Sequence, residues 1–427
     1  WWHLFRPFHF CCLAGYDGGH EGGNMDILYL SIVFLVIVVI IWLKKPLFVA
    51  MIGGIAATII LFRVNLKDAA VVLGRQTVAW DTIDVLLSFY LIIFLQLMLE
   101  KKGRLTNAKD SFNRLLRNRR MNTIVSPAIM GLLPSAAVMT ICADMVDRTC
   151  GEYMDDKNKT FVSCYYRHIP EMFLPTFPAV LLGLTLSGQN AGVFVLAMIP
   201  MVAAACLVVY ITHLKGIPRE MPLLEETIDK KAEIINLVKN LWTLIAVLLI
   251  IIIFSLSVCI AAPLVIASNY IFDHFSLKDL PDLMVRSAEP ILLGNMYLIM
   301  LFKGILSYTG VIGLLPDFIG QFPISMTMSF GLLFFIGTVI SGSQTIIALC
   351  MPMAFLAFPQ GGIPFLVMLM SVAWAAMQIS PTHVCSFVAA DFYHTTLGDI
   401  VVRALGPVII FSIIAYGYGL LLGQIFY

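Results

Sequence analysis

Charged residues are scarce in this sequence. Asp, Glu, Lys and Arg make up 12% of the 427 residues, whereas soluble domains average about 25%, and 60% of the residues are hydrophobic. The charges also nearly cancel, with a formal net charge of +1, so there is no excess of basic residues to bind nucleic acid. The composition predicts an integral membrane protein that contacts the lipid bilayer and has no nucleic-acid partner.

Sequence motifs of enzymes and of ATP-driven pumps are missing as well. The chain has no P-loop, no HExxH zinc motif and no GxSxG nucleophile motif. Its nine cysteines are odd in number and show no CxxC spacing, so neither a metal site nor a disulfide framework is predicted. We therefore expect no enzyme activity and no cofactor. A membrane-embedded enzyme that uses Asp144, His168 and His383 is a weaker alternative.

The first 24 residues lack the continuous apolar core and the cleavage site of a signal peptide. Met25 and Asp26 are followed at once by the apolar run "ILYLSIVFLVIVVIIWLKK" and resemble a natural start. We expect residues 1–24 to be a translated leader outside the fold.

Apolar runs of about 20 residues, the length that spans a bilayer, recur along the chain. Candidate crossings are 27–43, 46–62, 82–100, 191–213, 238–256, 258–272, 290–307 and 403–426. The stretches 160–187 and 364–390 are apolar but interrupted, and 122–147 and 325–357 are broken near the middle by Pro, Gly and Ser. The pattern predicts an all-α polytopic membrane protein with about ten transmembrane helices and two re-entrant hairpins.

The basic stretch 101–120 indicates the orientation. It holds eight Lys or Arg and one Asp, and such loops stay on the cytoplasmic side. This orientation places Met25 outside, in a multi-pass protein of the bacterial inner membrane. Phe112, Leu115 and Leu116 lie at helical spacing and suggest an interfacial helix, although a solvated loop fits equally well.

The two halves of the sequence resemble each other. Leu66, Lys67, Asp68 and Arg75 recur 211 positions later as Leu277, Lys278, Asp279 and Arg286; Leu86, Tyr90, Leu91, Ile92 and Gly103 recur 207 positions later; and Gly131, Ser135, Ile141, Met145, Pro175 and Thr176 recur 206 positions later. The matches at charged, Gly, Ser and Pro-Thr positions carry most of the weight. With five crossings in each half, the pattern predicts two inverted repeats, an arrangement typical of secondary transporters.

Pro175 and Pro381 occupy matching positions in the two interrupted stretches, and each is followed by a threonine. Proline removes a backbone donor, and a broken helix places a new N-terminus, which favours anions, inside the membrane. A proline kink satisfied by neighbouring helices is the alternative.

The small and polar residues in the middle of 122–147 and 325–357 fit the tips of re-entrant hairpins, although tight pairs of ordinary helices remain possible. Together with the breaks, the tips form the predicted substrate site. Its residues are Pro134, Ser135, Ala136, Pro175, Thr176, Ser341, Gly342, Ser343, Gln344, Thr345, Ser380, Pro381, Thr382 and His383.

Ionisable residues at membrane depth are candidates for ion coupling. They are Asp144, His383, Arg167, His168 and Glu171. Each has a simpler interpretation: Asp144 in water at the cytoplasmic mouth, His383 as a neutral partner of freed carbonyls, and Arg167 with Glu171 as an i, i+4 ion pair. Arg167 or His168 could instead contact a substrate carboxylate.

The motifs "YYRHIPEMFLPTFP" and "ISPTHVC", together with the layout, resemble the ion-transporter superfamily. Its members include dicarboxylate, citrate and gluconate carriers and the large membrane subunits of TRAP transporters, and the nearest branch is known only as a domain of unknown function. The resemblance implies an elevator mechanism and a homodimeric scaffold. The tips depart from the Ser-Asn-Thr of carboxylate carriers, since they read Pro-Ser-Ala-Ala and Ser-Gly-Ser-Gln-Thr.

This resemblance divides the chain into scaffold and transport halves. The predicted units are the leader 1–24, a scaffold half 25–120, a transport half 121–213, a cytoplasmic linker 214–237, a second scaffold half 238–323 and a second transport half 324–427. We expect a secondary active transporter (symporter) of a small organic anion coupled to H⁺ or Na⁺. A channel, or a TRAP-like subunit with a separate binding protein, is the alternative.

Overall fold

A computed structural model describes residues 23–43, 45–115, 118–133, 138–220, 229–321 and 323–426. Residues 1–22 of the predicted leader, and Pro134, Ser135 and Ala136 of the first predicted hairpin tip, lie outside the described residues. Within the described ranges the chain contains no strand, and its one isolated β-bridge joins Asn118 to Glu220.

Twenty α-helices account for most of the described residues. In the first half they are α1 Gly23–Trp42, α2 Leu47–Leu61, α3 Leu66–Val78, α4 Trp80–Lys101, α5 Arg104–Leu115, α6 Arg119–Met130, α7 Val138–Cys150, α8 Asp156–Arg167, α9 Pro178–Ser187 and α10 Ala191–Val209. In the second half they are α11 Lys230–Phe254, α12 Val258–Phe272, α13 Leu280–Ser287, α14 Pro290–Tyr308, α15 Leu315–Ile319, α16 Met326–Ser341, α17 Ser343–Ala357, α18 Gly362–Met377, α19 Val384–Phe392 and α20 Leu397–Phe426.

The helices are those of a polytopic membrane protein. Seven helical segments of the described chain are long and apolar enough to cross a bilayer: Met25–Trp42, Trp80–Lys101, Ala191–Leu214, Lys230–Phe254, Pro290–Tyr308, Pro359–Met377 and Leu397–Phe426. Five shorter apolar helices accompany them, α2, α9, α12, α16 and α17. The two interrupted stretches are each divided, the first into α8 and α9 and the second into α18 and α19.

Helix starts use the same side-chain caps at corresponding positions of the two halves. The Asn118 side chain accepts from the Met121 N–H, and 207 positions later Ser325 accepts from Met328. The Asn190 side chain accepts from Val193, and 206 positions later the Thr396 hydroxyl accepts from the Asp399 N–H. Asn65 and Ser276, 211 positions apart, also cap in the same way. Such caps satisfy N–H groups that have no partner within the helix.

Left-handed backbone residues follow the same displacements. Arg63 and His274 have φ of 51° and 50° and are 211 positions apart, and Gly103 and Gly310, 207 positions apart, have φ of 61° and 70°. Gly188 and His394, 206 positions apart, have φ of 66° and 53°. Residues other than glycine rarely adopt this conformation. Its repetition at Arg63 and His274 is therefore not explained by the glycine content of the two halves.

Contacts between the halves are reciprocal. The Thr77 hydroxyl lies 2.9 Å from the Tyr297 hydroxyl, and the Tyr90 hydroxyl donates to the Met284 carbonyl oxygen at 3.2 Å. Tyr90 of α4 corresponds to Tyr297 of α14 at a displacement of 207, and α3 and α13 hold the matching residues Arg75 and Arg286 at a displacement of 211. Each tyrosine therefore contacts the short helix of the other half that precedes its counterpart.

Helices α8 and α18 lie at the centre of the packing. Nearly every residue of both helices is buried; α8 contacts α6, α7, α19 and α20, while α18 contacts α10, α16, α17 and α20. Lys303 forms an ion pair with Asp81 at 2.9 Å that joins α14 to α4. The C-terminal ends of the central helices, Arg167 and Met377, meet at the site described next.

Candidate functional site

A cavity of about 480 Å³ lies between the two halves of the chain. Residues of the turn after α8, the start of α9, the α16–α17 junction, α18 and the start of α19 line it. Ten residues predicted for substrate binding or ion coupling are in this lining: Arg167, His168, Glu171, Ser341, Gly342, Ser343, Gln344, Thr345, Thr382 and His383. The structure therefore brings residues that are up to 216 positions apart to one place.

Both proline-containing breaks contribute to this cavity. Between α8 and α9 the chain forms the short 3-10 helix Pro170–Met172 and a loop, after which Phe177, Pro178 and Ala179 line the cavity. Between α18 and α19 the Ser380 hydroxyl donates to the Val339 carbonyl at 2.9 Å and lies 2.8 Å from the Thr382 hydroxyl. These bonds attach the second break to α16.

Three helix N-termini converge on the cavity. They are the starts of α9 at Pro178, α17 at Ser343 and α19 at Val384, and the first-turn residues of each are in the lining. No side chain caps these three helices. Pro178 has no N–H and the Ser386 N–H donates to the His383 carbonyl, but other first-turn N–H groups could bind a ligand. Helix N-termini carry a partial positive charge and bind anions.

Arg167 is the last residue of α8 and is 1% exposed. Its Nη1 donates to His168 Nε2 at 2.7 Å, to Glu171 Oε1 at 3.3 Å and to the Cys385 sulfur at 3.4 Å. Its Nη2 donates to the Leu133 carbonyl oxygen at 3.4 Å. The guanidinium thus connects the first break, the second break and the end of α6.

The bonds to His168 determine which ring nitrogens carry protons. His168 Nδ1 lies 2.6 Å from the Cys164 carbonyl oxygen and must donate to it, so Nε2 accepts from Arg167. His383 Nε2 lies 2.9 Å from the same nitrogen and must therefore donate. His383 Nδ1 is then an acceptor for the Ser386 hydroxyl at 3.3 Å. The network fits two neutral histidines, with tautomers assigned from its geometry.

Cys164, His168 and His383 have ligand atoms within 4.8 Å of one another. A metal ion there would lie beside the Arg167 guanidinium, which is 2.7 Å from His168 Nε2. Both nitrogens of His168 are also already engaged. We assign this group to the hydrogen-bond network and not to a metal site.

The remaining predicted site residues that the structure describes lie outside the cavity lining. Pro175, Thr176 and Ser380 are buried, and Pro381 is exposed next to Thr382. Asp144, a coupling candidate, is in α7, where its half-exposed carboxylate pairs with the exposed Arg148 at 2.9 Å.

Some site residues were not predicted as such from the sequence. Asn295 of α14 lines the cavity. Trp374 also lines the cavity and donates its indole N–H to the His168 carbonyl at 2.7 Å. Trp374 follows His168 by 206 positions, so the displacement of the repeat could have identified it.

Comparison with known proteins shows that one family model matches nearly the whole chain. The family model described as "Protein of unknown function (DUF401)" matches residues 27–421. No curated protein matches the chain.

Proposed function

Because the chain belongs to the family described as Protein of unknown function (DUF401), its activity must be inferred from the site, and we propose that it is a secondary active transporter. It carries a small organic anion across the bacterial inner membrane, coupled to H⁺ or Na⁺ and without a cofactor or an enzymatic step. The single observation that carries the proposal is one cavity lined by both helix breaks and by a buried arginine.

The charge of the substrate is inferred from the groups that face the cavity. Three uncapped helix N-termini point partial positive charge into it. The Arg167 guanidinium adds a permanent charge, since arginine is not deprotonated in proteins. An anion at this position would receive hydrogen bonds from backbone N–H groups and from a planar fork of donors, a combination suited to a carboxylate.

The size and organic nature of the substrate are inferred from the remaining lining. About 480 Å³ is within the range of pockets that hold small molecules. Phe177, Ile347, Met370 and Met377 are apolar, whereas Gln344, Thr345 and Asn295 offer neutral polar groups. Such a surface fits a carbon skeleton that carries a few hydroxyl or amide groups.

Alternating access is inferred from the repeat. The caps and the left-handed residues follow the displacements of 206, 207 and 211 that the sequence shows, and Tyr90 and Tyr297 make corresponding contacts with α13 and α3. Two inverted halves that meet at a central cavity can exchange conformations, so that the cavity opens to either side in turn. We propose an elevator movement in which α6–α9 and α16–α19 move together against a homodimeric scaffold.

Counterflow in proteoliposomes tests the function. Purified protein is first screened by thermal shift against small anions, and the anion that gives the largest stabilisation is loaded into liposomes. A carrier is expected to show saturable uptake of labelled anion in exchange for unlabelled anion inside. Unsaturated electrical currents would instead indicate a channel, and uptake only after addition of a periplasmic extract would indicate a TRAP-like subunit.

Two hydroxyl substitutions are expected to weaken the affinity for the transported anion. Thr382→Val and Ser341→Ala each remove one potential hydrogen bond in the cavity lining. A net hydrogen-bond contribution of about 0.5–1.5 kcal/mol corresponds to an affinity loss of about 2- to 10-fold. The measurement is the dissociation constant from thermal-shift titration or counterflow.

Matched substitutions outside the cavity control for folding. Ser412 in α20 donates to the Val408 carbonyl four residues earlier, just as Ser341 donates to Gly337. Thr149 in α7 donates in the same way to the Met145 carbonyl at 2.7 Å, and neither Thr149 nor Ser412 lines the cavity. Thr149→Val and Ser412→Ala should therefore leave affinity unchanged. Wild-type affinity in both Thr382→Val and Ser341→Ala would remove these residues from the site.

A further inference from the structure

The cavity contains one pair of opposite charges. Among the described residues of its lining, Arg167 is the only Lys or Arg and Glu171 the only carboxylate. Their Nη1–Oε1 distance is 3.3 Å, and the Glu171 side chain is 23% exposed while that of Arg167 is 2% exposed. The arginine is therefore fixed in the protein, whereas the carboxylate reaches into the cavity.

Among the residues that the structure describes, no other charged group is positioned to replace either partner. The helices α9 and α18, which pack against the turn that carries Glu171, contain no ionisable residue. From α8 the groups near Glu171 are Arg167 and His168, whose Nε2 is 3.9 Å from Oε1. Beyond them lie His383 and the thiols of Cys164 and Cys385.

An anionic ligand at Arg167 would create a charge imbalance. Two carboxylates would then share one guanidinium at membrane depth, where uncompensated charge is costly. Arginine cannot change its own charge, and like charges in close proximity favour protonation of one carboxyl. The imbalance therefore disappears if Glu171 binds a proton.

Histidine is less suited to take this proton. His168 Nε2 already faces the Arg167 guanidinium at 2.7 Å and the His383 N–H at 2.9 Å. A proton at that nitrogen would place two cations within hydrogen-bond distance. Protonation of Glu171, in contrast, removes a negative charge at the moment when Arg167 acquires a new negative partner.

We propose that Arg167 exchanges Glu171 for the carboxylate of a small monocarboxylate substrate and that Glu171 binds the coupling proton. This rests on the proposed function. Release of the substrate on the other side lets Arg167 return to Glu171, which then loses its proton there. One proton and one anionic charge cross together, so transport of a monoanion is electroneutral H⁺ symport, and the same exchange prevents the empty carrier from carrying a proton.

The pH dependence of affinity tests the exchange. Because binding and protonation are linked, affinity should fall about tenfold for each pH unit over the range in which Glu171 is ionised in the free protein and protonated in the complex, if one proton accompanies one anion. Lactate, pyruvate and gluconate serve as probes, since each stays ionised from about pH 5.5 to about pH 8. Dissociation constants of the purified full-length protein are measured by calorimetry across this range.

Variants of Glu171 test whether this residue is the group that binds the coupling proton. Glu171→Gln should bind at least one probe with an affinity that does not depend on pH, whereas Glu171→Asp, which keeps a titratable group, should retain the slope. Glu152→Gln makes the same change at an exposed loop position and should behave as wild type. His383→Gln is expected to keep the slope even if affinity changes.

Three results would overturn the proposal: affinity of the wild type that is independent of pH, a slope that persists in Glu171→Gln, or failure of all three monocarboxylates to bind. Saturable counterflow of another anion together with any of these results would leave the transporter function intact. Absence of counterflow for every anion would instead reject the function itself.

Discussion

Arg167→Gln is expected to abolish transport of the anion. The substitution removes the single cation of the cavity lining among the described residues and leaves Glu171 without its ionic partner. A bound anion would lose its charged partner, and truncating one partner of a buried, hydrogen-bonded charge pair in a binding interface costs about 2–5 kcal/mol, which corresponds to a loss of affinity of about 30- to 5000-fold. The measurement is anion affinity by thermal-shift titration, with counterflow as the functional readout.

Lysine should not rescue this site. The guanidinium donates at once to His168, Glu171, Cys385 and the Leu133 carbonyl, and an ammonium group cannot reproduce that planar set of bonds. We expect Arg167→Lys to retain less than about a tenth of wild-type affinity.

Arg148→Gln is the matched control for Arg167→Gln. Arg148 forms an exposed pair with Asp144, and exposed pairs contribute about 0–1 kcal/mol, so both affinity and folding should stay near wild type. Gel filtration shows whether each variant is folded. Normal counterflow in a folded Arg167→Gln protein would contradict the assigned role.

Gly131→Ala is expected to prevent correct folding. A Cβ at Gly131, directly after α6, would overlap the backbone carbonyl oxygen of Arg167, and backbone cannot move aside as a flexible side chain can. The end of α6 would have to shift away from the end of α8. Because overpacking typically costs about 1–3 kcal/mol and sometimes more, we expect a cost at or above the upper end of this range.

The measurement for Gly131→Ala is the yield of monodisperse protein and its apparent melting temperature. Gly406→Ala is the control, because a Cβ at Gly406 in α20 would meet open space. Alanine there should raise stability by up to about 1 kcal/mol through helix propensity. Equal melting temperatures of Gly131→Ala and wild type would show that α6 and α8 do not approach as closely as described.

The positions of the helices could largely be predicted from hydrophobicity. Runs of apolar residues indicated α1, α4, α10, α11, α14 and α20, because a bilayer imposes both length and composition on a crossing helix. The short helices α3 and α13 were not predicted, since neither is long or apolar enough to resemble a crossing.

The contacts within the site could be predicted only in part. Proline indicates where α8 and α18 are interrupted, and the repeat displacement pairs the two breaks. The approach of His383 to His168 joins residues 215 positions apart, and the i, i+4 spacing of Arg167 and Glu171 does not reveal that Arg167 also reaches Leu133 and Cys385. Such contacts depend on how the two halves pack, which local patterns do not specify.

Labelling of one cavity residue from both sides of the membrane tests the central claim most directly. Ser343, in the first turn of α17, lines the cavity. In an active variant that has no other cysteine, Ser343→Cys would react with an impermeant maleimide only from a side of the membrane to which the cavity opens. Alternating access predicts labelling from either side, with the ratio of the two rates changed by saturating anion. Labelling from one side only, at a rate that the anion does not affect, would contradict a cavity that carries its ligand across the membrane.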